Sequence, residues 1–107
     1  MKNVSRDEIR KGLENGGGAT LVEALSERNW KEGHLPGAVQ LDYQEVRERA
    51  GDILPDKDAR IVVYCANEAC RNSVKAAEEL EALGYTNVYE YAGGKQDWVD
   101  AGLELEK

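Results

Sequence analysis

The chain of 107 residues contains only two cysteines and one histidine. With so few sulfur and imidazole ligands, a structural zinc site would have to be completed by carboxylates, an unusual donor set for that metal. Two thiols, Cys65 and Cys70, are also too few for a disulfide framework, and they read instead as reactive or buried groups. No run of about 18 apolar residues is present, which excludes a membrane-spanning helix. The opening residues Met1-Lys2-Asn3-Val4-Ser5-Arg6-Asp7 lack the apolar stretch of a secretory signal, so a cytoplasmic address is expected. Basic residues are in the minority: 14 Lys and Arg against 21 Asp and Glu leave a net charge of −7. That balance argues against nucleic acid or an anionic membrane as a partner, because both are held by lysine and arginine against phosphate. Repeats, linkers and low-complexity tracts are missing as well. The length suits one domain over residues 1–107, large enough to fold on its own core.

Helix and strand patterns alternate along the chain. Ser5 and Glu8 make a capping-box pair, and Ile9 and Leu13 follow at helical spacing until Asn15-Gly16-Gly17-Gly18, which predicts a first helix of about ten residues. Thr20–Leu25 is an apolar run suited to a buried strand, and Ser26–Lys31 fits a helical turn. The loop Gly33-His34-Leu35-Pro36-Gly37-Ala38 leads to a brief strand at Val39-Gln40-Leu41. Asp42 and Glu45 repeat the capping pattern and open a helix ending near Ala50-Gly51. After a surface turn at Pro55-Asp56-Lys57-Asp58, the β-branched run Arg60–Tyr64 is the strongest strand signal. From Ser73 to Leu83, Val74, Ala77 and Leu80 share one face with Ala76 and Leu83 beside them, Glu78, Glu79 and Glu81 face water, and Gly84 stops the helix. Asn87–Tyr91 is a last strand, followed by Ala92-Gly93-Gly94 and a short helix carrying Trp98. The alternation predicts an α/β domain with a parallel sheet covered on both faces, whose ligand site lies beyond the carboxyl ends of the strands.

Cys65 falls at that edge, where the strongest strand hands over to a helix. The first N–H groups of a helix have no partners inside it and carry a partial positive charge, so they favour an anion. A thiolate is an anion. Cysteines so placed have pKa values of about 3.5 to 7.5 instead of about 8.5, which makes Cys65 the candidate nucleophile.

Three separated pieces resemble the rhodanese family of sulfurtransferases: Gly33-His34-Leu35-Pro36-Gly37-Ala38, the strand and cysteine Val62-Val63-Tyr64-Cys65 with the helix Ala76-Ala77-Glu78-Glu79-Leu80, and Tyr91-Ala92-Gly93-Gly94-Lys95-Gln96-Asp97-Trp98. Their order and spacing cover about residues 20 to 103. The resemblance implies a five-stranded, mostly parallel sheet with helices on both faces. It also implies that Cys65 carries a persulfide from a small sulfur donor such as thiosulfate to a thiol or cyanide acceptor, with no metal or organic cofactor. A persulfide anion must be held by several N–H donors in a closed loop, and Ala66, Asn67, Glu68, Ala69, Cys70 and Arg71 can supply them, with the Arg71 guanidinium as a cationic rim.

Several residues shape this expectation further. Some small rhodanese-like proteins resemble this chain in having a second cysteine in or beside the loop. Cys70 is therefore either a packing residue under the helix start or a resolving thiol that closes a disulfide on Cys65, reversible by exchange with a thioredoxin-like reductant. Cys65 to Arg71 also reads as C-x5-R, the loop length used by related phosphatases and arsenate reductases, which gives phosphoryl or arsenate chemistry as an alternative. Glu68 places a negative charge in the loop, where it opposes both a thiolate and an anionic donor. A non-catalytic sulfur-relay or regulatory module is the third reading. Glu23 is expected to tie loops together by accepting N–H bonds, with Leu25 standing where the family commonly has arginine. His34 is expected to be a structural hydrogen-bonder, and Trp30 and Trp98 core or pocket-wall aromatics.

Overall fold

The computed structural model describes residues 2–14 and 18–107. Strands β1 (Lys2–Asn3), β2 (Ala19–Glu23), β3 (Val39–Gln40), β4 (Arg60–Tyr64) and β5 (Val88–Tyr91) form one sheet in the order β1-β5-β4-β2-β3. Every pairing between them is parallel. The helices are α1 (Arg6–Glu14), α2 (Glu27–Glu32), α3 (Val46–Ile53), α4 (Asn72–Ala82) and α5 (Gly94–Asp100), with one 3-10 turn at Tyr43–Glu45. The expected five-stranded α/β architecture is the one observed.

Strand β4 sits at the centre because its residues are apolar towards both faces. Ile61 and Val63 join Val22, Ala24, Leu41, Ala76 and Leu80 in a core beneath α3 and α4. Val62 and Tyr64 point the other way, into a second core with Ile9, Leu35, Tyr91 and Trp98 under α1 and α5. This is the period-two alternation of a strand buried on both sides. Each fully buried Val, Leu or Ile contributes about 1.5–3 kcal/mol, so the two faces of β4 anchor both layers.

Register fixes what meets at the carboxyl edge. Glu23 lies opposite Tyr64, and Tyr64 opposite Tyr91. The next residue after Tyr64 is Cys65, so the sulfur emerges at the end of the central strand, between the ends of its two neighbours.

Two expectations are adjusted. Asp42 caps the 3-10 turn, with its side chain accepting from the Gln44 N–H, and the α-helix begins only at Val46. Strand β1 carries no alternating signal; it forms because the chain ahead of α1 lies along β5, with Val4 N–H donating to Glu90 O at 2.9 Å. The capping box does form, through Glu8 N–H to Ser5 Oγ and Ser5 N–H to Glu8 Oε1, both 3.1 Å. The expected helix stop at Asn15-Gly16-Gly17 lies outside the described residues.

Candidate active site

Cys65 and Cys70 are joined by a disulfide, with their Cα atoms 6.3 Å apart. Cys70 therefore lies against Cys65 at the loop's far end, half-buried. The Cys65 side chain is 1 % exposed.

The loop between the cysteines is organised by Asn67. Its Oδ1 accepts from Ala69 N–H at 2.9 Å and from Cys70 N–H at 3.2 Å, and its main-chain oxygen accepts from Cys70 N–H at 3.1 Å. An asparagine side chain that accepts from its own downstream backbone makes a tight local turn, and here the turn folds Cys70 back over Cys65. The expectation that all the loop amides converge on the sulfur is corrected for Ala69 and Cys70: in this closed form they serve Asn67. Arg71 is exposed, and among the described residues its guanidinium makes no hydrogen bond or ion pair, so it lies at the loop without gripping anything. Glu68 and Ala69 are exposed at the loop surface, Ala66 half-buried.

Beneath the disulfide lies a buried polar chain. Cys65 Sγ is 3.5 Å from Ser73 Oγ, and the Ser73 hydroxyl donates to Glu90 Oε2 at 2.7 Å. Ser73 belongs to the first turn of α4 and Glu90 to β5, and both are buried. Sequence reasoning missed Glu90. The available signal was a carboxylate within a strand flanked by tyrosines, one residue before the site edge. With the disulfide open, a thiol at position 65 can donate to Ser73, which donates to Glu90, so a carboxylate stands two hydrogen bonds from the sulfur's proton.

The other side of Cys65 is held by α5. Lys95 N–H donates to Cys65 O at 3.0 Å and Gln96 N–H to Ala66 O at 2.9 Å. This approach requires glycine at position 94. Its φ is +64°, and a Cβ there would lie 2.3 Å from Cys65 O. The pair Gly93-Gly94 thus brings one helix start against the main chain of Cys65 while α4 meets its side chain.

Glu23 is fully buried beside the site. Its Oε1 accepts from the Tyr64 hydroxyl at 2.9 Å and its Oε2 lies 3.0 Å from the Lys95 ammonium, which also donates to Asn29 O at 2.8 Å. Glu23 therefore ties β2, β4, α2 and α5 together, as expected in kind, but through a hydroxyl and an ammonium. Lys95 supplies the cation that Leu25 does not. Burial nevertheless pushes the Glu23 carboxyl up, with Lys95 and Tyr64 pulling the other way. Burial also raises the Tyr64 phenol, aided by the neighbouring Glu23 charge, so its hydroxyl stays protonated while accepting from Leu35 N–H at 3.1 Å.

His34 takes a structural role. Its ring stacks on Trp30 with centroids 4.1 Å apart, and Nδ1 donates to Trp30 O at 2.9 Å. Trp98 is core, its indole N–H donating to Glu104 O.

The rhodanese-like domain model matches residues 5–101. The chain belongs to the rhodanese-like domain family. Within that family it is 41% identical over 76 residues to the thiosulfate sulfurtransferase PspE of Escherichia coli K12, an alignment covering 71% of this chain and 70% of that one. It is 30% identical over 81 residues to the thiosulfate sulfurtransferase GlpE of Pseudomonas savastanoi pv. phaseolicola, covering 76% of this chain and 73% of that one. The crystal structure of the BH2092 protein from Bacillus halodurans superposes with a TM-score of 0.90 at 26% identity, over 98% of this chain and 76% of that one. Membership of the rhodanese-like domain family thus rests on the full span of the fold. Among the described residues, no helix is long and apolar enough to cross a membrane.

Proposed function

We propose that this protein is a rhodanese-type sulfurtransferase in which Cys65 is the nucleophile. The carrying observation is the position of Cys65. It stands at the carboxyl end of the central strand, with Ser73 against its sulfur, Glu90 behind Ser73 and α5 against its main chain, in a family whose relatives include thiosulfate sulfurtransferases.

The thiol proton leaves towards Ser73 and Glu90. The Cys65 thiolate attacks the outer sulfur of a donor such as thiosulfate, the S–S bond of the donor breaks, and sulfite departs with the bonding pair. The persulfide then gives its outer sulfur to a thiol or to cyanide, and the thiolate returns. Main-chain N–H groups of residues 66–71 hold the persulfide anion once the disulfide is open, which requires Asn67 to release those of Ala69 and Cys70. The exposed Arg71 guanidinium draws the anionic donor to the loop rim. This chemistry calls on no metal or organic cofactor.

The phosphatase or arsenate-reductase alternative has less behind it, since the Arg71 guanidinium does not reach the sulfur and the named relatives are sulfurtransferases. Thiosulfate:cyanide turnover by the reduced protein, together with an intact mass raised by one sulfur atom, tests the reading. Both signals should vanish in Cys65→Ser. Turnover that survives this substitution, or a chain that never gains sulfur in either the wild type or Cys70→Ser, overturns it.

A further inference from the structure

We infer that Cys70 gives the protein a second outlet for sulfur: it discharges the Cys65 persulfide within the chain, releasing hydrogen sulfide and leaving the Cys65–Cys70 disulfide for a dithiol reductant to open. The inference rests on the persulfide reading above and adds a product and a partner class to it.

The geometry supplies the trajectory. The 6.3 Å Cα separation falls within the range of about 4.4–6.8 Å that a disulfide needs. In the closed form, which is the product of this step, both ends are held in place. Cys65 O is bound by Lys95 N–H, and Cys70 N–H by the main chain and side chain of Asn67. Closing so short a loop costs little entropy, and holding thiol and persulfide together gives the intramolecular attack a large effective concentration. The burial of Cys65 Sγ adds direction. An acceptor arriving from solvent meets the outer sulfur first, whereas Cys70 comes at Sγ from within the loop.

The balance closes without an oxidant. The Cys70 thiolate attacks Cys65 Sγ, the Sγ–Sγ bond forms, and the bond to the outer sulfur breaks with its electron pair leaving on hydrosulfide. The proton given up by the Cys70 thiol goes to the departing outer sulfur, so one persulfide anion and one thiol yield the disulfide and hydrosulfide, which takes a further proton from water to become hydrogen sulfide. The outer sulfur gains two electrons and each cysteine sulfur loses one. Attack at Sγ rather than at the outer sulfur is set by position: the Cys70 Cα lies 6.3 Å from that of Cys65, within disulfide reach of Sγ itself. Two electrons from a dithiol of the thioredoxin-like class then restore both thiols, so every sulfide released by this outlet consumes one dithiol.

The test follows one turnover. The protein is reduced, freed of reductant, loaded with thiosulfate, desalted, and followed by sulfide assay and intact mass with no external thiol present. Wild type should release one sulfide per chain and finish two hydrogens lighter than the reduced chain. Cys70→Ser, which keeps the main-chain amides, should retain its added sulfur at least about tenfold longer. Equal lifetimes in the two proteins, or an added sulfur that peptide mapping finds on Cys70, overturn the outlet while leaving the sulfurtransferase reading standing. No sulfur uptake by either protein removes both.

Discussion

Single atoms decide the site. A methyl group at position 94 would collide with the Cys65 carbonyl while the backbone holds a left-handed φ, so Gly94→Ala should destabilise the fold by about 1–3 kcal/mol and lower sulfur loading with it. Denaturant unfolding of the variant measures the first effect. Gly51→Ala, whose new Cβ meets open space within α3, is the control and should be neutral or slightly stabilising. Glu23 makes a second prediction. Its folded-state pKa is raised above the ordinary 4.5, so its contribution is fully present below that pH and is lost as pH rises through the folded value. The stability of wild type relative to Glu23→Gln should therefore fall with increasing pH above about 4.5 and then level off, as a series of denaturation midpoints would show. A difference that grows with pH would mean that the Lys95 pair outweighs burial. At this scale the sequence was partly legible. The placement of Cys65 at the end of the central strand and the structural contacts of His34 could be read from residue type and position. Asn67 as the organiser of the loop and Glu90 as the carboxylate behind Ser73 could not, because both depend on contacts that the chain makes only after folding.

The elements rank by how many neighbours they have in the sheet. β4 is paired on both sides and buried on both faces, whereas β1 and β3 are two-residue edge strands. Amide hydrogen exchange should be slowest at Ile61–Tyr64 and fast at Lys2–Asn3 and Val39–Gln40; comparable protection of an edge strand and of β4 would contradict this ranking. The same ranking explains which elements the sequence announced. Arg60–Tyr64 carries a continuous apolar run and Ser73–Leu83 a helical periodicity, because a core selects their apolar positions. Lys2–Asn3 carries none, since a short exposed edge is formed by main-chain bonds alone, which leave no mark on side chains. The 3-10 turn before α3 went unread for a similar reason: Asp42 caps either kind of helix, and only the Gln44 N–H contact shows which one starts there.

The whole molecule carries a net charge of −7, and Glu68, Asp97 and Asp100 line the depression beside the loop. An anionic donor approaches against that field. Raising ionic strength from about 0.01 to 0.15 M shortens the screening length from about 30 to 8 Å, so kcat/KM for thiosulfate should rise about two- to tenfold over that range. A neutral persulfide donor should show no such dependence, and a falling rate with thiosulfate would mean that Arg71 outweighs the remaining charge. Because α5 clasps the main chain of Cys65 and Ala66 while the sheet secures Tyr64, the backbone at Cys65 is anchored on both sides, and a passage between shut and open forms falls to residues 67–71. On the proposed sulfurtransferase reading, substrate preference is consequently a transplantable property: exchanging that segment alone should re-tune the reaction without rebuilding the support.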